Sequence, residues 1–412
     1  MRRVTSGRAG GIRTGNGRGC RRRVAGLVAG GGATAALLAS GAPAYAVPVA
    51  SASTSPTSNL TLSQRSCVSD LVASMTVNQR VGQLIWVGLD ASAAPSGVDS
   101  TVRSYALGGV VLLGGFHSGR TSVAATTHHL SGLADPRVGL FVSADQEGGY
   151  VQQLQGYGFT DLPTAFTQGT KWAPSTLVTQ TTTVAKQMRV AGVNVNLAPV
   201  ADTVSKSFMP YNRPIGYYFR NYDYSADRVA TDVSTVVASM HAGGVAATVK
   251  HFPGLGRVTG NTDTSATGIT DDVTAATSGY LIPFKAGIAA GADFVMMSSA
   301  WYPKIDSTRQ AVFSQATISG LLRGSIGYQG VVVTDDMGNA VAVQSTPVGS
   351  RATRFITAGG DIILTGNPAT VGPMISAILA ARQKSPSFAA KVDDSVARVL
   401  ALKTGRGLTT CS

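Results

Sequence analysis

Gly330-Val331-Val332-Val333-Thr334-Asp335-Asp336 is a short β-branched run that stops on two adjacent acids. A run apolar on both faces is a buried strand rather than one half-exposed to water, and such a strand holds a carboxylate rigidly where it ends. The pattern recurs. Strands are expected at Gln83–Leu89, Gly109–Leu113, Leu140–Ala144, Val193–Pro199, Ala246–Lys250, Ala292–Met297, Gly330–Thr334 and Asp361–Thr365. Helical spacing predicts helices between them, among others over Ser175–Ala191, Ser225–Ala242, Ser278–Ala290, Ser314–Ser325 and Ser350–Ala358. Several of these begin with Ser, a good N-cap, and end at Gly. Buried strands alternating with helices imply a parallel sheet, and eight such units close into a barrel. The expected fold class is therefore α/β, a single (β/α)8 TIM barrel without a second C-terminal domain. A doubly wound open sheet is the alternative, weakened by the lack of a Gly-x-Gly-x-x-Gly fingerprint after the first strand.

The polar residues support the barrel. Asp145, Gln146 and Glu147 follow the third strand, Asp202 the fourth, His251 follows Lys250 on the fifth, and Asp335 and Asp336 follow the seventh. All fall at carboxyl ends, where barrel enzymes place their chemistry. Asp335 at such a rim can be a nucleophile toward an electrophilic carbon or can cap the next helix, the second being the expected role of Asp336. Lys250 and His251, before the Phe252-Pro253-Gly254 turn, suit hydrogen bonds to sugar hydroxyls or to a carboxylate. Asp145-Gln146-Glu147-Gly148-Gly149 joins carboxylates to a glycine pair, either where backbone approaches a ligand or in a surface turn.

Composition removes several other classes. With 44% apolar residues, 13% charged residues and 49 glycines, the chain is neither disordered nor a coiled coil. Its net charge of +13 invites a nucleic-acid reading, but residues 1–46 hold eight arginines and no acid, leaving 26 basic against 21 acidic residues elsewhere. No nucleic-acid partner is expected. That arginine-rich start, the small apolar run Val24–Ser40 and Ala44-Tyr45-Ala46 form a signal peptide over 1–46, cleaved after Ala46. Gly30–Gly32 interrupts the run, which is marginal for a membrane span of about 20 residues. Residues 47–60 read as a Ser/Thr/Pro/Ala-rich linker and 61–412 as the catalytic domain. The mature protein is expected to be secreted or associated with the cell wall. Cys67 and Cys411, near the two ends of the folded part, are then a candidate disulfide.

The five histidines, at 117, 128, 129, 241 and 251, show neither His-x-His nor His-Glu-x-x-His spacing, so no metal or other cofactor is expected. His128 and His129 read as residues of a solvated helix. No Gly-x-Ser-x-Gly elbow points to a serine hydrolase.

Taken in order, Met75-Thr76 with Val81-Gly82-Gln83-Leu84, Gly108-Gly109-Val110, Asp145 to Gly149, Asn196 to Asp202, Lys250 to Gly254 and Thr334-Asp335-Asp336-Met337 resemble glycoside hydrolase family 3. The resemblance is closest to its bacterial β-N-acetylglucosaminidase branch and covers nearly all of residues 62–405. It implies a retaining double displacement on a terminal β-linked N-acetylglucosamine of a carbohydrate substrate, with Asp335 as nucleophile. It also implies that Asp145, Lys250 and His251 bind the sugar, joined by Arg220 of Arg220-Asn221-Tyr222, which matches the family's Arg-Ser-Phe string after a short insertion.

Two departures bear on chemistry. The branch carries Asp-Ser-His on a mobile loop, its His serving as general acid and base; here the same positions read Asn261-Thr262-Asp263. Either Asp263 protonates the leaving oxygen, its pKa raised by desolvation as the loop closes, or the acid is lost and the protein binds sugar without ordinary turnover. The Arg that commonly follows Glu-Gly-Gly is replaced by Tyr150, which can still line the pocket. The expected activity is release of N-acetylglucosamine from peptidoglycan fragments, with a β-glucosidase or β-xylosidase of the same family and phosphate as acceptor left as alternatives.

Overall fold

The computed structural model describes residues 60–410. The expected signal peptide and its cleavage point, most of the linker, and Cys411 lie outside the described residues. Cys67 is buried on the helix Leu62–Ser74. Among the described residues, no helix is long and apolar enough to cross a membrane.

Eight parallel strands form the central sheet: β1 (Ile85–Asp90), β2 (Gly109–Leu113), β3 (Phe141–Ala144), β4 (Val195–Asn196), β5 (Ala246–Phe252), β6 (Phe294–Met297), β7 (Val331–Thr334) and β8 (Ile363–Thr365). Their order, β7-β6-β5-β4-β3-β2-β1-β8, steps round without the reversal of a doubly wound sheet. The outer strands β7 and β8 meet through a parallel Val333–Ile362 bridge, with Thr334 N donating to Ile362 O at 2.9 Å. The sheet is thus a nearly closed, barrel-like ring surrounded by helices. Register runs Trp86–Gly109 from β1 to β2 and Val110–Val142 from β2 to β3, and Phe294 of β6 sits between Thr248 of β5 and Val331 of β7.

The strands form because their residues can be buried on both faces. Val331, Val332 and Val333 are wholly excluded from solvent, as are Trp86, Phe141 and Phe294, whose rings meet inside the ring of strands at 5.4–5.5 Å. Gly109 is required beside them, since a Cβ there would come within 2.7 Å of the Trp86 ring and 2.8 Å of Phe141 O. Outside, the helix Ala226–Ala242 buries Val229, Val233, Val236, Val237 and Met240, a single stripe at helical spacing.

Four details differ from the sequence reading. The expected strand Val193–Pro199 pairs regularly only at Val195–Asn196, because Pro199 has no N–H for a ladder; the carbonyls of Ala198 and Pro199 still accept from Thr248 and Lys250. The fifth strand runs on to Phe252, which puts His251 within it rather than after it. Among the five serines expected to start helices, only Ser314 accepts from a first-turn amide, that of Thr317 at 3.0 Å; Ser225 makes no such bond, and Ser350 lies inside the helix Val348–Ala358. The segment expected as an α-helix over Ser314–Ser325 is a π-helix over Ala316–Ser325.

At the amino ends of the strands, charges serve the fold. Asp361, just before β8, is fully buried and accepts from Arg323 Nη2 at 2.6 Å, Arg398 Nη1 at 2.5 Å and Val332 N at 2.8 Å. Removing this acid strands two partly buried guanidiniums, which typically costs about 3 kcal/mol. Asp361→Ala is expected to lower Tm by several degrees while leaving KM unchanged, a pair of readouts obtained from thermal denaturation and steady-state kinetics.

Candidate active site

At the opposite, carboxyl ends of the strands lies a cavity of about 260 Å³. Asp145, Arg220, Lys250, His251, Asp263 and Asp335, the residues singled out from sequence, all line it, together with Asp336. This is slightly below the roughly 300–1,000 Å³ common for drug-sized ligands, and the cavity opens to solvent.

A buried ion network forms one wall. Lys250, at the end of β5, points its Nζ between two carboxylates, in contact with Asp145 Oδ1 and 2.6 Å from Glu147 Oε1. Arg220 grips the same Glu147 with two bonds, Nε to Oε2 at 2.9 Å and Nη2 to Oε1 at 2.8 Å, and its Nη1 donates to Pro214 O at 2.8 Å. Burial opposes ionisation of Glu147, yet Arg220 and Lys250 outweigh it and hold the carboxyl at about 2. Burial likewise pulls on Lys250, but Asp145 and Glu147 raise it above the ordinary lysine value, so the ammonium stays charged. Lys250 keeps one of its three N–H donors and Arg220 two of its five for a ligand.

Glu147 sits on a two-stranded ribbon, Gln146–Gly148 against Val151–Gln152, that follows β3. The glycine pair makes the turn of this ribbon: Gly148 has φ +100° and Gly149 φ +58°, and a Cβ on Gly148 would lie 2.4 Å from Pro163 O. These glycines therefore serve the turn and its packing.

His251 is oriented from behind. Its Nδ1 lies 2.8 Å from Oδ2 of the fully buried Asp202, whose Oδ1 accepts from Leu255 N at 2.7 Å. With Nδ1 engaged, Nε2 is the nitrogen left for the cavity.

Asp263 stands at the mouth, where solvent reaches it. Crowding by the cavity walls, then repulsion from the Asp335 carboxylate, push its pKa up to about 6; Arg220 and His251 pull the other way and Asp336 adds to the rise. The Thr259–Thr270 stretch that carries it is hydrogen-bonded to its surroundings. Thr259 N and Gly260 N donate to Gly268 O at 2.9 and 2.7 Å, while Val341 N and Ala342 N donate to Asp263 O and Thr262 O, both at 3.0 Å. The Asp263 loop is thereby tied to the segment that follows Asp335.

Asp335 and Asp336 divide their work. Asp336 Oδ1 accepts from Gly338 N at 2.7 Å, Asn339 N at 3.2 Å and Gly366 N at 2.9 Å, capping the turn after β7 and tying it to β8. Asp335 Oδ1 accepts from the neighbouring Asp336 N at 2.9 Å, and the side chain lines the cavity. A carboxylate so placed is anchored by its strand yet lightly solvated by protein donors.

Residues 76–402 match the glycosyl hydrolase family 3 N-terminal domain. The chain belongs to glycoside hydrolase family 3. Beta-hexosaminidases of Xanthomonas oryzae pv. oryzae and Stenotrophomonas maltophilia are 34% and 35% identical to it over 279 and 281 residues, each alignment covering 66% of this chain and 80% of the relative. The crystal structure of β-N-acetylhexosaminidase from Beutenbergia cavernae is similar with a TM-score of 0.78 and 44% identity, over 81% of this chain and 99% of that one. A family 3 β-N-acetylglucosaminidase from Paenibacillus sp. FPU-7 follows at a TM-score of 0.69 and 28% identity, over 81% of this chain and 63% of that one. The chain is a glycoside hydrolase.

Two residues of this family 3 site were not assigned a role from sequence, although both were seen at strand ends. Glu147 is the partner of both cations, and Asp202 orients His251. Glu147→Gln keeps the volume but removes the charge that holds Arg220 and Lys250. Misplacement of such groups is worth about 10²-fold in rate, so kcat/KM is expected to fall by that order, with circular dichroism confirming an intact fold.

Proposed function

We propose that this protein is an exported, retaining, exo-acting β-N-acetylglucosaminidase that removes terminal N-acetylglucosamine from cell-wall fragments. The observation that carries the reading is the meeting, in one cavity, of a strand-anchored Asp335 with an Asp263 whose carboxyl is pushed up to about 6. The similarity to a beta-hexosaminidase of Xanthomonas oryzae and to the β-N-acetylhexosaminidase of Beutenbergia cavernae supports the N-acetylated sugar.

In the first step the Asp335 carboxylate attacks the anomeric carbon as the glycosidic bond breaks, and Asp263 gives its proton to the departing oxygen. A glycosyl ester on Asp335 and an ionised Asp263 result. Asp263 then takes a proton from water, whose oxygen attacks the same carbon and releases Asp335, regenerating the starting state with net retention. Asp145, Arg220, Lys250 and His251 hold the sugar hydroxyls. Water is the acceptor in this proposal, phosphate being the alternative that the test below distinguishes. Export rests on the arginine-rich leader and Ala44-Tyr45-Ala46, and a mature chain beginning at Val47 in the culture medium is the product to look for.

The proposal is tested with the protein lacking residues 1–46. Asp335→Asn is expected to abolish hydrolysis of 4-nitrophenyl N-acetyl-β-glucosaminide. Asp263→Ala is expected to spare this activated substrate in the first step and to lose the natural disaccharide by 10²-fold or more. No turnover by the unmutated, folded protein overturns the N-acetylglucosaminidase reading, and sugar 1-phosphate formed in phosphate buffer overturns water as acceptor.

The pH dependence follows from the acid. Asp263 donates only while protonated, so kcat/KM for a disaccharide is expected to fall as pH rises through about 6, in the direction of its raised pKa. With Asp263→Ala and the activated substrate, that alkaline limb should vanish from the pH–rate profile.

A further inference from the structure

Three tyrosines stand exposed beside the cavity although nothing in the proposed chemistry uses them: Tyr150, Tyr217 and Tyr218, at 70%, 49% and 38% exposure. They form one cluster. Tyr218 meets Tyr150 edge-on at 5.8 Å and Tyr217 edge-on at 5.0 Å, and the Arg213 guanidinium lies 4.6 Å from the Tyr217 ring. Chain neighbours on both sides belong to the cavity: Val151 next to Tyr150, and Pro214 and Arg220 flanking Tyr217 and Tyr218. The cluster therefore adjoins the cavity mouth.

The segment is held rigidly. Buried Asn212 donates to Leu255 O and Val258 O at 2.7 and 2.8 Å and accepts from Ile215 N and Gly216 N at 3.2 and 2.7 Å. Tyr217 N bonds back to Asn212 O at 2.9 Å, and the next ring, Phe219, packs on Phe166 at 6.2 Å. Rings fixed in this way lose little freedom on binding a flat partner. Leaving them in water is otherwise unfavourable, since tyrosine gains by covering its apolar faces.

We propose that Tyr150, Tyr217 and Tyr218 form a stacking platform for the second pyranose of a β-linked oligosaccharide, the ring that departs when the terminal sugar is cleaved. The inference rests on the glycosidase reading. An exo-acting site that holds the terminal ring against Asp335 places the second ring toward the mouth, and the apolar C–H face of a pyranose matches the face of a tyrosine.

The experiment compares a substrate with a second ring against one without. N-acetyl-β-glucosaminyl fluoride has a leaving group too small to reach the platform; N,N′-diacetylchitobiose and N-acetylglucosaminyl-β-1,4-N-acetylmuramic acid both present a second pyranose. Tyr217→Ala and Tyr150→Ala are expected to lower kcat/KM for the disaccharides roughly five- to tenfold, to leave the fluoride unchanged within about twofold, and to be rescued by Tyr217→Phe and Tyr150→Phe. The better of the two disaccharides for the unmutated enzyme identifies the glycan source. Equal effects of the alanine variants on fluoride and disaccharides, or no effect on either, overturn the platform. Failure of the unmutated enzyme on the fluoride overturns the glycosidase reading instead.

Discussion

Lys250 is the constraint around which the site is built. Its ammonium is excluded from water, and an unpaired cation there would be intolerable, so Asp145 and Glu147 must come to it from the end of β3. Glu147 in turn fixes Arg220, which closes the loop over residues 212–220 onto the wall of the cavity. One buried charge thus ties two strands of the sheet to a distant loop, and the pocket's floor follows from satisfying it. The pairing also sets what the pocket can do, because both cations enter the site already partly neutralised. Each keeps spare N–H groups that suit neutral hydroxyls better than a free anion.

Much of this was legible in the sequence where one strong local pattern decided the outcome. Val331–Val333 could be nothing but buried strand, and the acids that follow had to fall at the rim. The eight strands lie where β-branched runs put them, and the candidate residues converge because each rides a strand end or the loop behind one. The pairing of Glu147 with Arg220 was not legible, since 73 residues separate them and neither side chain carries a mark of its partner. Nor was the glycine pair's role, because a turn and a ligand approach ask for the same residues. Apart from Ser314, the serine caps were misread for a similar reason: Pro174 starts its helix without help from Ser175, and Ser350 lies within the first turn of its helix.

The Asp263 loop shows how a departure from the pattern that the family resemblance leads one to expect becomes intelligible in three dimensions. An aspartate where that resemblance implies a histidine lacks a group that titrates near neutrality unaided. What compensates is the setting: partial removal from water, and Asp335 held close by the two backbone hydrogen bonds that join residues 262–263 to 341–342. These bonds join the Asp263 loop to the segment that follows Asp335. An acid on a free loop would relax toward solvent and return to the ordinary aspartate range.

The same pairing bears on the second half of the proposed reaction. Repulsion from Asp335 is among the forces that keep Asp263 protonated, second only to burial. Once Asp335 is esterified to the sugar its charge is gone, while Arg220 and His251 still favour the ionised form of Asp263. The balance then tilts toward a carboxylate, the form needed to take a proton from water. When hydrolysis restores the Asp335 charge, the repulsion returns and Asp263 is driven back to its acid form. Two carboxyl groups tied to one another through the backbone can therefore alternate acid and base duty without any loop having to move, which gives a physical reason for the hydrogen bonds that pin this loop in place.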